Sequence, residues 1–232
     1  MPIPVHALAH RPLTAEAVAE LIALPTAPRT PDDVDTFDAV EAEMRQRGWS
    51  WQHELVTDSY RTGHGHLLCT EGESPFGDPD ARHFLVFGEL YPVDPDEDEG
   101  EDEISTANGQ WLYDFMDSWQ QLPGWTGRRP ATDQDCEAVL AQAAQVVTGH
   151  LGRAPERTVL SAESLAMGPA LTHRVWRTDT HALVLGPAPD NLPYGYLTHL
   201  QLSYTPLSCG PELPPADDEE GLTEWISDHV DW

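Results

Sequence analysis

Two histidines and a glutamate are the residues whose types and spacing come closest to a chemical site. They lie in the run His64-Gly65-His66, with Glu71 five residues after the second histidine. On a β-strand, residues i and i+2 point to the same side, so imidazoles at this spacing can converge. Two imidazoles and a carboxylate are a common ligand set for a transition metal. One hypothesis is therefore a metal-dependent enzyme or metal sensor that uses His64, His66 and Glu71.

The same residues resemble the first half of the cupin metal motif, in which H-x-H is followed by Glu and later by Gly, here Gly77. The resemblance implies a cupin-like metal site, and it covers residues 64–77 only. The chain has Asp58 where the motif has glycine, and no second motif with Pro, Gly, His and Asn follows. The alternative interpretation is a solvated hairpin turn in which glycines set the bend. On that interpretation we expect no metal and no other cofactor.

Other catalytic patterns are absent from the sequence. All 12 basic residues are arginine, which excludes a lysine nucleophile, a Schiff base and a P-loop lysine. There is no G-x-S-x-G sequence and no H-E-x-x-H sequence. Cys69 and Cys136 fall at apolar positions, where burial makes a thiol inert. We therefore expect a protein that is not an enzyme.

Two acidic runs offer a different kind of site. Eight carboxylates fall within residues 94–103, and four more occupy residues 217–220. Charged groups are buried only when they are paired, so both runs are expected at the surface. Tryptophans near the ends of neighbouring segments are expected to be partly exposed, namely Trp119, Trp125 and Trp232. The predicted partner-binding residues are Asp94, Asp96, Glu97, Asp98, Glu99, Glu101, Asp102, Glu103, Asp217, Asp218, Glu219, Glu220, Trp119 and Trp232.

Overall charge restricts the partners of the chain. The formal net charge is −28 and the pI is about 4.4, which disfavours nucleic acid and anionic membranes and favours a basic protein. Three widely spaced cysteines fit a reducing compartment. The N-terminus lacks the pattern of a signal peptide, and no apolar stretch approaches the roughly 20 residues that span a bilayer. We expect a bacterial, cytoplasmic protein whose oligomeric state the sequence leaves open.

Helix signals recur in the two halves of the chain. Thr14 and Thr132 each follow an Arg-Pro-x sequence and begin a helical pattern, where the threonine hydroxyl can cap the first turn. A second helix is predicted in the first half over residues 33–47. The second half has one helix, predicted over residues 133–150 and ended by Gly152.

Strand-like segments follow these helices in both halves. Tyr60-Arg61-Thr62 matches Trp176-Arg177-Thr178, and the period-two run at residues 84–91 matches residues 196–204. Arg61 and Arg177 are expected to pair with acidic residues across the two halves. Earlier strands are predicted over residues 49–57 and 157–167.

An acidic run and an aromatic helix close each half. The two helices place apolar residues at the same spacing, which is one face of a helix. These residues are Trp111, Leu112, Phe115 and Met116 in the first half and Trp225, Ile226, His229 and Val230 in the second. The sequence thus predicts an α+β fold, a tandem duplication of a helix–antiparallel sheet–helix unit with pseudo-twofold symmetry. The units span residues 1–120 and 121–232 and can pack as two domains or as one.

In acidity, lack of lysine and lack of catalytic motifs, the chain resembles the small acidic α+β immunity proteins of actinobacterial polymorphic toxin systems. That resemblance implies a non-enzymatic inhibitor that neutralises a basic toxin or effector by stoichiometric binding. The sequence therefore supports three hypotheses: an acidic binding protein, the metal-dependent enzyme or sensor, and a secretion-chaperone-like or scaffold protein with a peptide groove. The acidic runs can also be no more than solvated linkers.

Overall fold

The computed structural model describes residues 5–27, 36–54, 57–72, 74–93, 121–161, 170–189, 198–210 and 212–231. The described part contains four α-helices and ten strands. The helices are α1 (Ala15–Ala23), α2 (Thr36–Arg47), α3 (Asp133–Leu151) and α4 (Glu219–Val230). The strands are β1 (Val5–His10), β2 (Ser50–Glu54), β3 (Thr57–Arg61), β4 (Leu67–Glu71), β5 (Arg82–Val93), β6 (Thr126–Ala131), β7 (Arg157–Leu160), β8 (Thr172–Arg177), β9 (His181–Pro189) and β10 (Thr198–Pro206).

All ten strands belong to one sheet, in the order β2-β3-β4-β5-β10-β9-β8-β7. Every pairing is antiparallel, and the long strands β5 and β10 lie at the centre. β1 pairs with the second half of β5, beyond the part that pairs with β4, and β6 pairs with β1. The predicted α+β class with an antiparallel sheet is confirmed, and strands from both halves of the chain form a single sheet.

Local capping signals place the helix ends. The side-chain oxygen of Thr14 accepts from the amide of Ala17 at 3.2 Å and begins α1. Thr132 and Asp135 form a reciprocal capping box at the start of α3. Gly152 ends α3 with φ 69°, a left-handed conformation that glycine adopts without steric cost. Both predicted N-caps and the predicted end of α3 are confirmed.

The helices cover opposite faces of the sheet. α1 and α3 pack with Leu183 and Leu185 of β9 in the larger core cluster. Val184, between those two leucines, belongs to the second cluster, which contains α4. Since neighbouring residues of a strand point to opposite faces, α4 lies on the face that α1 and α3 do not cover. No described helix is long and apolar enough to cross a membrane.

Five sequence predictions differ from the structure or fall, wholly or in part, outside its described residues. The strand expected over residues 49–57 is two strands, because β2 ends at Glu54 and β3 begins at Thr57. The strand expected over residues 157–167 is described only for β7, which ends at Leu160. The acidic run at residues 94–103, the helix predicted at residues 111–119, and Trp232 lie outside the described residues and stay predictions.

Candidate functional site

The metal hypothesis requires the two histidines to lie on a strand, but they do not. His64 and His66 occupy the turn that connects β3 to β4, and the amide of Thr62 donates to the carbonyl of His66 at 2.9 Å. Gly65, between them, has φ 78°, so a glycine sets this bend. The i, i+2 rule for strands therefore does not apply. The expected hairpin turn with a glycine at its bend is confirmed, but the turn is not fully solvated, because His66 is buried.

The three proposed metal ligands each face a different group. His64 Nε2 lies 3.7 Å from a carboxylate oxygen of Glu20. His66 is buried with Nε2 3.1 Å from the carbonyl oxygen of Pro12, and burial lowers the pKa of His66 to about 4. Glu71 accepts a hydrogen bond from Arg82 at 2.9 Å. The described part of the chain holds no group of three histidine, cysteine or acidic side chains suited to a metal ion.

The structure also tests the expected burial of two cysteines, the expected exposure of Trp125 and the expected pairing of Arg177. Cys69 and Cys136 are buried, and burial raises the pKa of Cys136 to about 12, which keeps its thiol protonated and unreactive. Trp125 is not partly exposed, because its side chain is 5 % exposed and Nε1 donates to the carbonyl of Gly65 at 3.1 Å. Arg177 does not pair across the two halves, since it donates at 2.8 Å to Glu156 of its own half.

The second acidic run forms the start of α4. Asp217, Asp218, Glu219 and Glu220 are all exposed. Asp218 is the N-cap, and its carboxylate accepts from the amide of Gly221 at 2.9 Å. Negative charge is favourable at this end of a helix, because the unpaired amides of the first turn carry partial positive charge.

The negative charge continues along the whole exposed side of α4. Glu220, Glu224 and Asp228 are exposed and spaced by four residues, so they lie on one face of the helix. α4 contains no arginine or lysine. We call these three residues, together with Asp217, Asp218 and Glu219, the acidic face. Our sequence prediction missed Glu224 and Asp228 as site residues, although their four-residue spacing was a readable signal.

Buried contacts hold the acidic face in place. The apolar side of α4 packs through Trp225, Ile226 and Val230 against the second core cluster. Trp225 Nε1 donates to the carbonyl of Gly210 at 2.8 Å. Gln201 of the central strand β10 donates to the carbonyl of Val230, also at 2.8 Å. The predicted burial of this aromatic stripe is confirmed, and the helix presents its carboxylates from a packed support.

α3, one of the helices on the opposite side of the sheet, has no such row of exposed carboxylates. The exposed positions of α3 include Gln134, Gln142 and Gln145. Two of its partly buried carboxylates are neutralised by arginine: Asp135 pairs with Arg128, and Glu137 with Arg174. The unpaired negative charge of these two helices therefore lies on α4.

Comparison of the chain with protein-family models, with curated proteins and with solved structures gave no match.

Proposed function

We propose that the protein is a non-enzymatic binding protein that captures a basic partner protein by stoichiometric contact, in the manner of an immunity protein or inhibitor. The observation that carries the proposal is the acidic face, where three carboxylates at four-residue spacing stand exposed on a helix without a single cation. A cytoplasmic toxin or effector with an arginine- or lysine-rich surface is the partner that fits.

The energetics of the acidic face favour a role in binding. Like charges four residues apart destabilise a helix by roughly 0.2–0.5 kcal/mol per pair, so the arrangement costs folding stability. A cationic partner removes that repulsion and replaces it with attraction. Complementary charge also raises the association rate and makes it dependent on salt, because exposed charges are screened within about 8 Å at physiological ionic strength.

Two triple variants separate a local site from overall charge. Glu220→Gln, Glu224→Gln and Asp228→Asn remove three negative charges from the acidic face. Gln134→Lys, Gln142→Lys and Gln145→Lys add three positive charges to the exposed side of α3, so both variants change the net charge by the same amount. Binding is measured by calorimetry against the protein captured by the immobilised wild-type chain from the producing cells.

We expect the α4 variant to bind at least about tenfold more weakly and with a smaller salt dependence, and the α3 variant to bind as wild type. Equal weakening by both variants would mean that overall charge, not this face, attracts the partner. Failure to retain any basic protein at about 0.15 M salt would remove the proposal.

We also propose that the two halves are a duplicated unit related by a pseudo-twofold axis between β5 and β10. The mirrored strand order on the two sides of that pair supports this. The hairpins β3–β4 and β8–β9 also support it. Tyr60 lies opposite Leu68 in the first hairpin and Trp176 lies opposite Leu183 in the second, whose turn is one residue shorter. On this correspondence Leu68 matches Leu183, whereas the sequence offset that aligns Tyr60 with Trp176 would match Leu68 with Val184.

The two alternatives differ in what the residues support. The metal-dependent enzyme or sensor has no support from His64, His66 and Glu71, whose side chains face separate partners. A secretion-chaperone-like or scaffold role stays an alternative. It predicts binding to an unfolded segment instead of a folded domain, so unfolding the captured partner before calorimetry distinguishes the two roles.

A further inference from the structure

A hollow of about 370 Å³ lies beside the turn that joins β8 to β9. Its volume falls in the lower part of the range of small-molecule pockets, roughly 300–1,000 Å³. Arg177 lines it from the end of β8. Because the preceding residue, Trp176, belongs to the larger core cluster, Arg177 points to the other face of the sheet, which carries α4. The residues that line the hollow are Arg153, Glu156, Arg177, Thr178, Asp179 and Leu207.

An ion pair fixes Arg177 in this hollow. Its Nε and Nη2 donate to one carboxylate oxygen of Glu156 at 3.1 Å and 2.8 Å. Its backbone amide donates to the other oxygen at 3.1 Å. The N–H groups of Nη1 have no acceptor among the residues that the structure describes. The guanidinium is therefore oriented in advance and keeps donors for a ligand, and a fixed guanidinium suits a carboxylate.

Two other lining residues are held by the fold itself. The Thr178 hydroxyl accepts from the amide of His181 at 2.9 Å and donates to its carbonyl at 3.1 Å, so it is used within the turn. The amide of Leu207 donates to the carbonyl of Thr180 at 2.9 Å. The side chain of Leu207 packs against the second core cluster and gives the hollow an apolar wall.

The last two lining residues carry opposite charges. The carbonyl of Arg153 accepts from Trp176 Nε1 at 3.2 Å, which anchors the backbone of this exposed residue. Within the described part of the chain, neither the Arg153 guanidinium nor the exposed Asp179 carboxylate has a hydrogen bond or an ion pair. Since Glu156 and Arg177 neutralise each other, the hollow offers one unmatched positive and one unmatched negative charge.

We propose that this hollow binds a free α-amino acid with an apolar side chain. The ligand carboxylate contacts the guanidinium groups of Arg153 and Arg177, the ammonium pairs with Asp179, and the side chain packs on Leu207. An anion alone would be repelled by Asp179 and a cation alone by Arg153, whereas a zwitterion satisfies both. A zwitterion also has no net charge for the −28 of the chain to repel. The site contains no residue of the acidic face and goes beyond the proposed function.

Titration of the full chain with L-leucine, followed by amide NMR, tests the inference. We expect shifts at the amides of Arg153, Arg177, Asp179 and Leu207, with a dissociation constant of about 1 mM or lower. Two truncated compounds are the comparison. 4-Methylpentanoate lacks the ammonium group and 3-methylbutylamine lacks the carboxylate, so each leaves one charge of the hollow unmatched and should bind at least about tenfold more weakly.

Two variants with matched controls locate the site. Arg153→Gln and Asp179→Asn change exposed side chains without partners, so the fold stays intact, and each should weaken leucine binding about tenfold. Arg45→Gln and Asp38→Asn make the same charge changes on α2 and should leave binding unchanged. α2 packs through Val40 and Met44 in the larger core cluster, on the other face of the sheet.

Several outcomes would overturn the inference. No shift at about 10 mM leucine would do so. Equal binding of either truncated compound, or equal effects of the hollow variants and the α2 controls, would also do so, as would leucine shifts confined to amides outside the hollow. Leucine binding is measured without any protein partner, so its failure leaves the acidic face untouched, and failure to capture a basic protein leaves this site untouched.

Discussion

Arg82, at the start of β5, caps the C-terminal end of α4 through the backbone of Asp228. Its Nη2 donates to the carbonyl oxygen of Asp228 at 2.9 Å and to that of Asp231 at 2.5 Å. The last carbonyl groups of a helix have no hydrogen-bond donor within the helix and carry partial negative charge. The guanidinium of Arg82 supplies both the missing donors and a compensating positive charge. A residue of the first half thus fixes the helix that carries the acidic face.

Replacing Arg82 with methionine, which keeps much of the aliphatic stem, should therefore loosen α4. We expect the free energy of unfolding to fall by about 2 kcal/mol, from the lost charge-assisted hydrogen bonds at the helix end. Urea denaturation measures this change. The control is Arg45→Met, whose side chain is 76 % exposed and whose nearest carboxylate is 3.8 Å away, and which should cost less than about 0.5 kcal/mol. Equal costs for the two variants would contradict the capping role.

A buried ionisable pair joins the two central strands. Glu89 and His199 lie directly opposite each other, with Nδ1 2.6 Å from Oε1, and neither is more than 5 % exposed. Replacing Glu89 alone with leucine leaves a buried imidazole without this partner and should cost about 3–5 kcal/mol. The double variant Glu89→Leu, His199→Leu should cost less than the sum of the single changes. A double-mutant cycle in urea checks this, and strict additivity would show that the two residues do not act as a pair.

Gly186 and Gly149 should respond oppositely to alanine. A methyl group on Gly186 of β9 would lie 2.2 Å from Cδ2 of His173, so we expect a loss of about 1–3 kcal/mol. At Gly149, inside α3, nothing lies within 4 Å of the added carbon, and alanine should gain about 0.5–1 kcal/mol from helix propensity. Thermal unfolding of the two single variants, compared with wild type, measures both signs. A stable Gly186→Ala protein would mean that β8 and β9 do not pack as described.

Buried neutral histidines should make the protein less stable in mild acid. Burial lowers the pKa of His66, His83 and His173 to about 4, from an ordinary value of 6.5. Between those pH values the unfolded chain binds more protons than the folded chain, so stability is present above pH 6.5 and is lost as the pH falls toward 4. Each histidine contributes a slope of at most about 1.4 kcal/mol per pH unit.

Denaturant titrations between pH 4 and pH 7 test this dependence. His173→Gln removes a titrating group whose Nε2 lies 2.7 Å from the carbonyl oxygen of Pro187. The variant should reduce the slope of unfolding free energy against pH by the contribution of about one proton. A pH-independent stability of the wild-type protein over this range would refute the prediction.

Local signals in the sequence predicted the helices correctly, because the interactions that begin and end a helix join residues only a few positions apart. The hydroxyls of Thr14 and Thr132 cap amides three positions ahead, and Gly152 ends α3 through its own backbone conformation. The apolar stripe of α4 and the exposure of residues 217–220 follow from the same short-range periodicity. For these features the residue types were sufficient.

Features that depend on distant contacts were predicted wrongly or not at all. From the sequence, the spacing of His64 and His66 predicts two histidines on one side of a strand. In the structure they lie in a turn, and His66 contacts the carbonyl of Pro12, more than fifty residues earlier in the chain. Trp125 was expected to be partly exposed near a segment end, but its indole reaches the carbonyl of Gly65 and is buried. No local pattern contains either contact.

The sequence by itself therefore determined the α+β class, most helix limits and the sign of the surface charge, because these depend on propensity, periodicity and composition. Only the tertiary structure decided that strands from both halves join in one sheet at β5 and β10. It also decided that α4 displays its carboxylates on the face opposite α3, and that Arg177 of β8 pairs with Glu156 of its own half. Those outcomes depend on which strands pair, and pairing is selected by the burial of many residues far apart in the chain.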